Sequence, residues 1–124
     1  MNVTSTREQF GIVQIGIVLM TLITAIIHIG INLTIGGFLF ILNGLGYLAL
    51  LTAIFLPQSF VRRFLPANLA ANFRPVMRYV FIGYTLLTII LWVVMPGTRS
   101  PLAYADKAAE VLLVVLLWLD RGRN

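Results

Sequence analysis

The feature that most constrains this chain is its longest stretch without a charged side chain: between Glu8 and Arg62 there is no Asp, Glu, Lys or Arg. A stretch of that length accommodates two membrane-spanning helices of about 20 residues each. The rest of the chain agrees, because 60% of its residues are hydrophobic and only 10% are charged. Charged residues make up about 25% of an ordinary soluble domain. We therefore predict an integral membrane protein.

Turn-forming residues divide the chain into four apolar segments. Asn32, Thr34 and the pair Gly36-Gly37 follow the first, Pro57 the second, and Pro96-Gly97 the third. The predicted spans cover residues of about 10–31, 35–56, 76–95 and 102–120, and a basic interfacial connection covers about 57–75. Because short connections favour antiparallel neighbours, we predict an all-α, up-down-up-down four-helix transmembrane bundle, with residues 1–124 forming a single domain.

Basic residues are unevenly distributed between the two predicted sides of the membrane. The side with both termini and the interfacial connection holds Arg7, Arg62, Arg63, Arg74, Arg78, Arg121 and Arg123, and the other side holds Arg99 and Lys107. Because the positively charged side faces the cytoplasm, both termini are predicted to be cytoplasmic in a multi-pass protein of the cytoplasmic (inner) membrane. We expect Arg62, Arg63, Arg74 and Arg78 to contact lipid headgroups rather than nucleic acid.

Neutral polar residues lie inside the predicted spans. In the first span they recur at intervals of four and seven, which places them on one helix face, and lipid offers such side chains no partner. We expect them to form hydrogen bonds between helices. The set comprises Gln14, Thr21, Thr24, Asn32, Asn43, Tyr47, Tyr84 and Thr88.

Ionisable residues in the last span are the strongest candidates for a site. Asp106 and Glu110 lie one turn apart, Lys107 is three residues before Glu110, and the chain's one histidine, His28, falls in the same predicted half of the bundle. Buried charges are costly, so these groups must be paired, protonated or hydrated. Three interpretations stay open: an ion-pair network that locks the bundle, a proton or cation site, and a frayed fourth helix whose charges reach the headgroups.

Several kinds of chemistry have little support in the sequence. The chain has no cysteine and one histidine, and it lacks a glycine-rich phosphate loop, a metal-spaced ligand motif and a nucleophile with a base. We therefore expect no enzyme activity, no metal and no cofactor. Axial ligation of haem or of a chlorophyll-type magnesium by His28 stays an open alternative.

Three segments give the chain its one resemblance: Ile27-His28-Ile29-Gly30, Leu42-Asn43-Gly44-Leu45-Gly46-Tyr47 and Asp106-Lys107-Ala108-Ala109-Glu110. In layout it resembles a family of small prokaryotic four-helix membrane proteins of unknown function. The resemblance implies the fold and no activity.

Two functions remain compatible with these observations. The first is a structural or accessory subunit, or a homo-oligomeric helical module, in which the charged residues and His28 hold helices together. The alternative is an oligomeric small channel or a proton- or cation-coupled transporter that uses the same residues. The two hypotheses differ in hydration, because a structural cluster is dry and a conduction pathway is wet.

Overall fold

The computed structural model describes residues 3–35, 38–94 and 101–122, and it describes side chains at 11–30, 38, 41–94 and 101–121. Every regular element in these ranges is helical, which confirms the prediction of an all-α chain. The helices are α1 (Val3–Ile35), α2 (Phe38–Phe55), α3 (Gln58–Phe64), α4 (Ala67–Val94) and α5 (Pro101–Leu119), and a 3₁₀ turn (Asp120–Gly122) follows α5.

Helices α1 and α4 are each long and apolar enough to cross a membrane, through Gly11–Gly30 and Ala67–Val94 respectively. Residues Ile41–Phe55 of α2 and helix α3 are long and apolar enough when they are taken together, and they meet at a bend of 101°. Helix α5 is not in this group, because its 19 residues include two carboxylates and an ammonium group. Among the residues that the structure describes, two helices thus qualify as spans by length and composition, or three if the bent pair is one span, where the sequence predicts four.

The bend between α2 and α3 lies at Pro57. Proline lacks an amide donor and disfavours helical geometry at the residue before it, so α2 ends ahead of it. The Pro57 carbonyl then accepts the amides of Phe60 and Val61, at 3.0 and 3.1 Å, which starts α3. The prediction that Pro57 terminates the second apolar segment is consistent with these bounds.

A second proline does not end a helix. The sequence places Pro75 at the end of an interfacial connection, but α4 begins at Ala67 and continues through Pro75 to Val94. The ring removes one backbone hydrogen bond near the start of a 28-residue helix, whose remaining hydrogen bonds and packing maintain it. The basic connection is therefore mostly helical, formed by α3 and the first turns of α4.

The four longer helices pack in a cyclic order, with α1 against α2, α2 against α4, α4 against α5, and α5 against α1. The short α3 packs on α4. Their common interior is apolar and aromatic, and its buried members are Ile17, Ala25, Tyr47, Ile54, Phe81, Leu113 and Leu117. The exposed side chains are also largely aliphatic or aromatic, as expected for helices that face lipid.

Candidate functional site

A buried group of polar side chains, here called the polar cluster, connects α1 to α5. It consists of Thr24 and His28 on α1 and of Asp106, Lys107 and Glu110 on α5. Thr24 and His28 are four residues apart, as are Asp106 and Glu110, so helical geometry places each of these pairs on one helix face. Lys107 reaches Glu110 from three residues away. The predicted convergence of His28 with the three charged residues of α5 is present in the structure.

Threonine 24 is the central hydrogen-bond donor of the polar cluster. Its hydroxyl lies 2.5 Å from Asp106 Oδ1 and 3.2 Å from Glu110 Oε1, so its proton has an acceptor on either carboxylate. Sequence analysis classes Thr24 only as a supporting polar residue. The structure gives it a larger role, because its side chain bridges both acids of α5.

The orientation of His28 is fixed by its own helix. Its Nδ1 lies 2.8 Å from the Thr24 carbonyl oxygen, and because a carbonyl only accepts hydrogen bonds, Nδ1 carries a proton. Nδ1 also lies 3.5 Å from Asp106 Oδ1, and Nε2 lies 3.9 Å from Glu110 Oε1. The imidazole therefore lies between the two carboxylates of the neighbouring helix.

Lysine 107 contacts both acids from the side of α5. Its Nζ donates to Glu110 Oε1 and Oε2 at 3.0 and 3.2 Å and lies 3.3 Å from Asp106 Oδ2. The predicted Lys107–Glu110 pair is present, and Asp106 is a second partner. When both carboxylates are ionised, one ammonium balances only one of them, so the polar cluster keeps a negative charge unless His28 or another cation neutralises it.

The polar cluster is almost completely enclosed. The exposed surface is 0% for Thr24 and Glu110, 4% for Asp106 and 6% for His28. Two shallow hollows on the surface, of about 360 and 260 Å³, are lined by other residues. Buried charges are tolerated where they are paired and hydrogen-bonded, as they are here.

Neutral hydrogen bonds next to the polar cluster join α2 to α4. The buried Tyr47 ring lies 5.8 Å from the His28 ring, and its hydroxyl is 2.7 Å from Thr88 Oγ1. The Tyr84 hydroxyl donates to the Asn43 carbonyl at 2.7 Å and also bonds the Asn43 side chain. The four supporting residues predicted in the second and third spans therefore join these two helices, as expected.

Two other supporting residues of α1, Thr21 and Gln14, have contacts outside the polar cluster. Thr21 is buried and donates to the carbonyl of Ile17 on its own helix, at 2.7 Å, and Gln14 lines the larger surface hollow. Asn32 lies outside the residues whose side chains the structure describes, and so does Arg99. Of the four polar residues of this predicted face whose side chains are described, two therefore belong to the polar cluster.

The four arginines expected at lipid headgroups occupy three different environments. Arg62 and Arg63 on α3 are exposed, as expected. Arg74 is partly buried and donates to the carbonyls of Ile54 and Leu56, at 3.0 and 2.8 Å, so it caps the end of α2.

Arg78 requires a correction, because its side chain is fully buried rather than at the lipid surface. Its Nε donates to Asp120 Oδ2 at 3.1 Å, and Asp120 is also fully buried. Sequence analysis did not identify this pair. The available signal was that both residues lie near the same predicted membrane face, one on the third span and one at the end of the fourth.

Comparison with known proteins adds no family to this picture. No protein-family model, no curated protein and no solved structure matches the chain.

Proposed function

We propose that this protein is a four-helix membrane bundle with a structural role, in which α1, α2, α4 and α5 all cross the membrane and both termini are cytoplasmic. In this proposal the polar cluster holds α5 in the bundle. The observation that carries the proposal is that the two carboxylates of α5 are enclosed against Thr24 and His28 of α1, so that Asp106 exposes 4% and Glu110 0% of its surface.

The composition of α5 makes this helix costly to insert into lipid by itself. Asp106, Lys107 and Glu110 oppose membrane insertion of this helix by itself, since each costs about 3 kcal/mol at the centre of a span on insertion scales. Packing against α1 supplies Thr24 and His28 as partners and lets the opposite charges pair. A helix that is unfavourable in lipid alone thereby becomes acceptable in the bundle.

The same observation favours a structural role over conduction through a single copy of the chain. A pathway for ions or protons requires hydrated side chains, whereas the enclosed members of the polar cluster are nearly inaccessible. Neither surface hollow includes a member of the polar cluster. We therefore place the protein as an accessory subunit or homo-oligomeric module of the cytoplasmic membrane.

The proposal can be tested by removing the central cation. Lys107→Met leaves two buried carboxylates without their ammonium and should lower stability by about 3–5 kcal/mol. Glu110→Gln should cost less, because Lys107 still lies 3.3 Å from Asp106. The double variant Lys107→Met/Glu110→Gln should recover most of the loss, since Asp106 then keeps its bond from Thr24. Arg62→Met, which removes an exposed positive charge, is the matched control.

The position of α5 is measured in the same variants. Because the chain has no cysteine, a cysteine introduced at the exposed Val115 is the one thiol that a maleimide can label. A membrane-impermeant maleimide should label it slowly in the parent and faster in Lys107→Met. Equally fast labelling in both proteins, or a Lys107→Met variant as stable as Arg62→Met, would contradict the proposed role of the polar cluster.

The accessory or oligomeric role needs its own measurement. After extraction in a mild detergent, light scattering should give a mass above that of one chain, or a second chain should co-purify. A monodisperse monomer without a co-purifying chain would contradict this part of the proposal and leave the role of the polar cluster in α5 unaffected.

A further inference from the structure

Three side chains of the polar cluster form a possible set of metal ligands. His28, Asp106 and Glu110 each offer one ligand atom, and these atoms lie within 4.8 Å of one another, all on buried residues. Ligands at about 2.1 Å from a tetrahedral metal stand about 3.4 Å apart. Nε2 of His28 lies 3.9 Å from Glu110 Oε1, whereas Asp106 Oδ1 lies 3.5 Å from Nδ1. Rotation of the acidic side chains, of Asp106 toward Nε2 in particular, would bring all three ligands onto one ion.

The hydrogen bond of His28 is the second observation that points to a metal. In metal sites a histidine commonly donates one ring N–H to a carbonyl or carboxylate, which fixes the tautomer and directs the other nitrogen to the ion. His28 has this arrangement, because Nδ1 donates to the Thr24 carbonyl at 2.8 Å. In the neutral imidazole the basic nitrogen is then Nε2, on the side of Glu110 Oε1, 3.9 Å away.

Thr24 supports the acids in the same way. Its hydroxyl lies within hydrogen-bond distance of Asp106 Oδ1 and of Glu110 Oε1, and its single proton is donated to one of them at a time. Thr24 therefore orients the histidine through its backbone carbonyl and one of the two acids through its side chain.

Lys107 lies where it would compete with a metal ion for the two carboxylates. Its ammonium lies 3.0 to 3.3 Å from both carboxylates, where a metal ion would also bind. Its side chain is the most exposed of the charged members, at 12%, and its Nζ lies 5.8 Å from the centre of the Trp92 ring. An aromatic face attracts an ammonium group, so Lys107 has an alternative contact when a metal takes the carboxylates.

We infer that His28 Nε2, Asp106 and Glu110 form a binding site for a divalent first-row transition metal between α1 and α5, with Lys107 as a built-in competing cation. One imidazole and two carboxylates suit Zn²⁺, Mn²⁺ or Fe²⁺. The two carboxylates together neutralise a divalent ion once Lys107 moves away. This inference goes beyond the structural role, because the ionic link between α1 and α5 needs no metal.

The single histidine allows a direct test on the parent protein. The chain is labelled with ¹⁵N at histidine, purified in detergent with a chelator, and titrated with Zn²⁺ after the chelator is removed. Binding at the proposed site should shift the Nε2 resonance strongly and leave Nδ1 protonated. An imidazole spectrum that is unchanged at millimolar Zn²⁺, or a shift that reports coordination through Nδ1, would overturn the proposed site.

Variants separate the roles of the individual residues, with affinities measured by Mn²⁺ paramagnetic resonance and Zn²⁺ calorimetry. His28→Ala should abolish binding. Thr24→Val should weaken it about 10- to 100-fold, the usual effect of removing a group that orients a ligand. Thr52→Val is the matched control and should bind like the parent, because Thr52 is exposed and donates to the carbonyl of Leu48 on its own helix.

Lys107→Met tests the competition. Removal of the ammonium should tighten Zn²⁺ binding at least about tenfold, because a cation near 3 Å from both carboxylates no longer repels or displaces the metal. Zn²⁺ should also raise the thermal stability of this variant more than that of the parent. Weaker binding by Lys107→Met than by the parent would overturn the role of Lys107. Loss of stability in Lys107→Met with no metal binding by any variant would overturn the site and leave the ionic link between α1 and α5 in place.

Discussion

Replacing Gly44 by alanine tests how closely α1 and α2 approach each other. An added Cβ at Gly44 would lie 2.7 Å from Ile29 Cγ1, 3.2 Å from Ile29 Cδ1 and 3.1 Å from the Ala25 carbonyl oxygen. The Ile29 side chain can rotate away, but the Ala25 carbonyl belongs to the backbone of α1 and cannot move without the helix. Gly44→Ala therefore forces the two helices apart or displaces the Ile29 side chain.

The size of the effect follows from two opposing contributions. Overpacking of a tight contact costs about 1–3 kcal/mol, whereas glycine to alanine in a helix interior gains about 1 kcal/mol from helix propensity in water. Gly83→Ala in α4 is the matched control, because its added Cβ meets nothing within 4 Å. Both variants gain the same helix propensity, so this gain cancels when they are compared. Gly44→Ala should therefore be less stable than Gly83→Ala by about 1–3 kcal/mol, the cost of overpacking.

The measurement is unfolding in mixed micelles as a function of the mole fraction of sodium dodecyl sulfate, followed by circular dichroism. The contact itself is isolated by a double-mutant cycle with Ile29→Ala, which removes the two closest side-chain atoms. The coupling between the two positions should be about 0.5–3 kcal/mol. If Gly44→Ala is at least as stable as Gly83→Ala and shows no coupling to Ile29→Ala, α1 and α2 do not approach as closely as the structure indicates.

Two further predictions concern the buried pair of Arg78 and Asp120 and the orientation of the chain in the membrane. Asp120→Asn removes the charged partner of the buried Arg78 and should lower the free energy of unfolding by about 3–5 kcal/mol. Apolar residues at both positions should recover most of this loss. In the same denaturation assay, a loss below about 1 kcal/mol for Asp120→Asn would mean that the pair is solvated. Topology reporters fused at the N-terminus, at Asn68 and at the C-terminus should all register as cytoplasmic, and one fused near Thr98 as external, because basic residues are concentrated on the first side. An external signal at Asn68 would reverse this orientation.

Much of the candidate site is predictable because its parts are local in sequence. Lys107 and Glu110 are three residues apart, and Asp106 and Glu110 four, so helical geometry alone brings each pair together. The approximate depth of His28 follows from the rise per residue and the length of its apolar segment. We expect His28 to meet the acids of the last span because they lie at a similar depth in the membrane. In the structure His28 lies 3.5 Å from Asp106 and 3.9 Å from Glu110.

The helical class, the apolar segments and the end of α2 before Pro57 follow from the amino-acid sequence, because they depend on composition, side-chain periodicity and the missing amide of proline. Which face of each helix turns inward depends on tertiary packing. The rotation of α4 buries Arg78 against Asp120, and the rotation of α1 directs Thr24 to both acids while Thr21 bonds only to its own helix. These rotations are set by packing among side chains far apart in the chain, such as the contact of α1 with Gly44, and no local pattern encodes them.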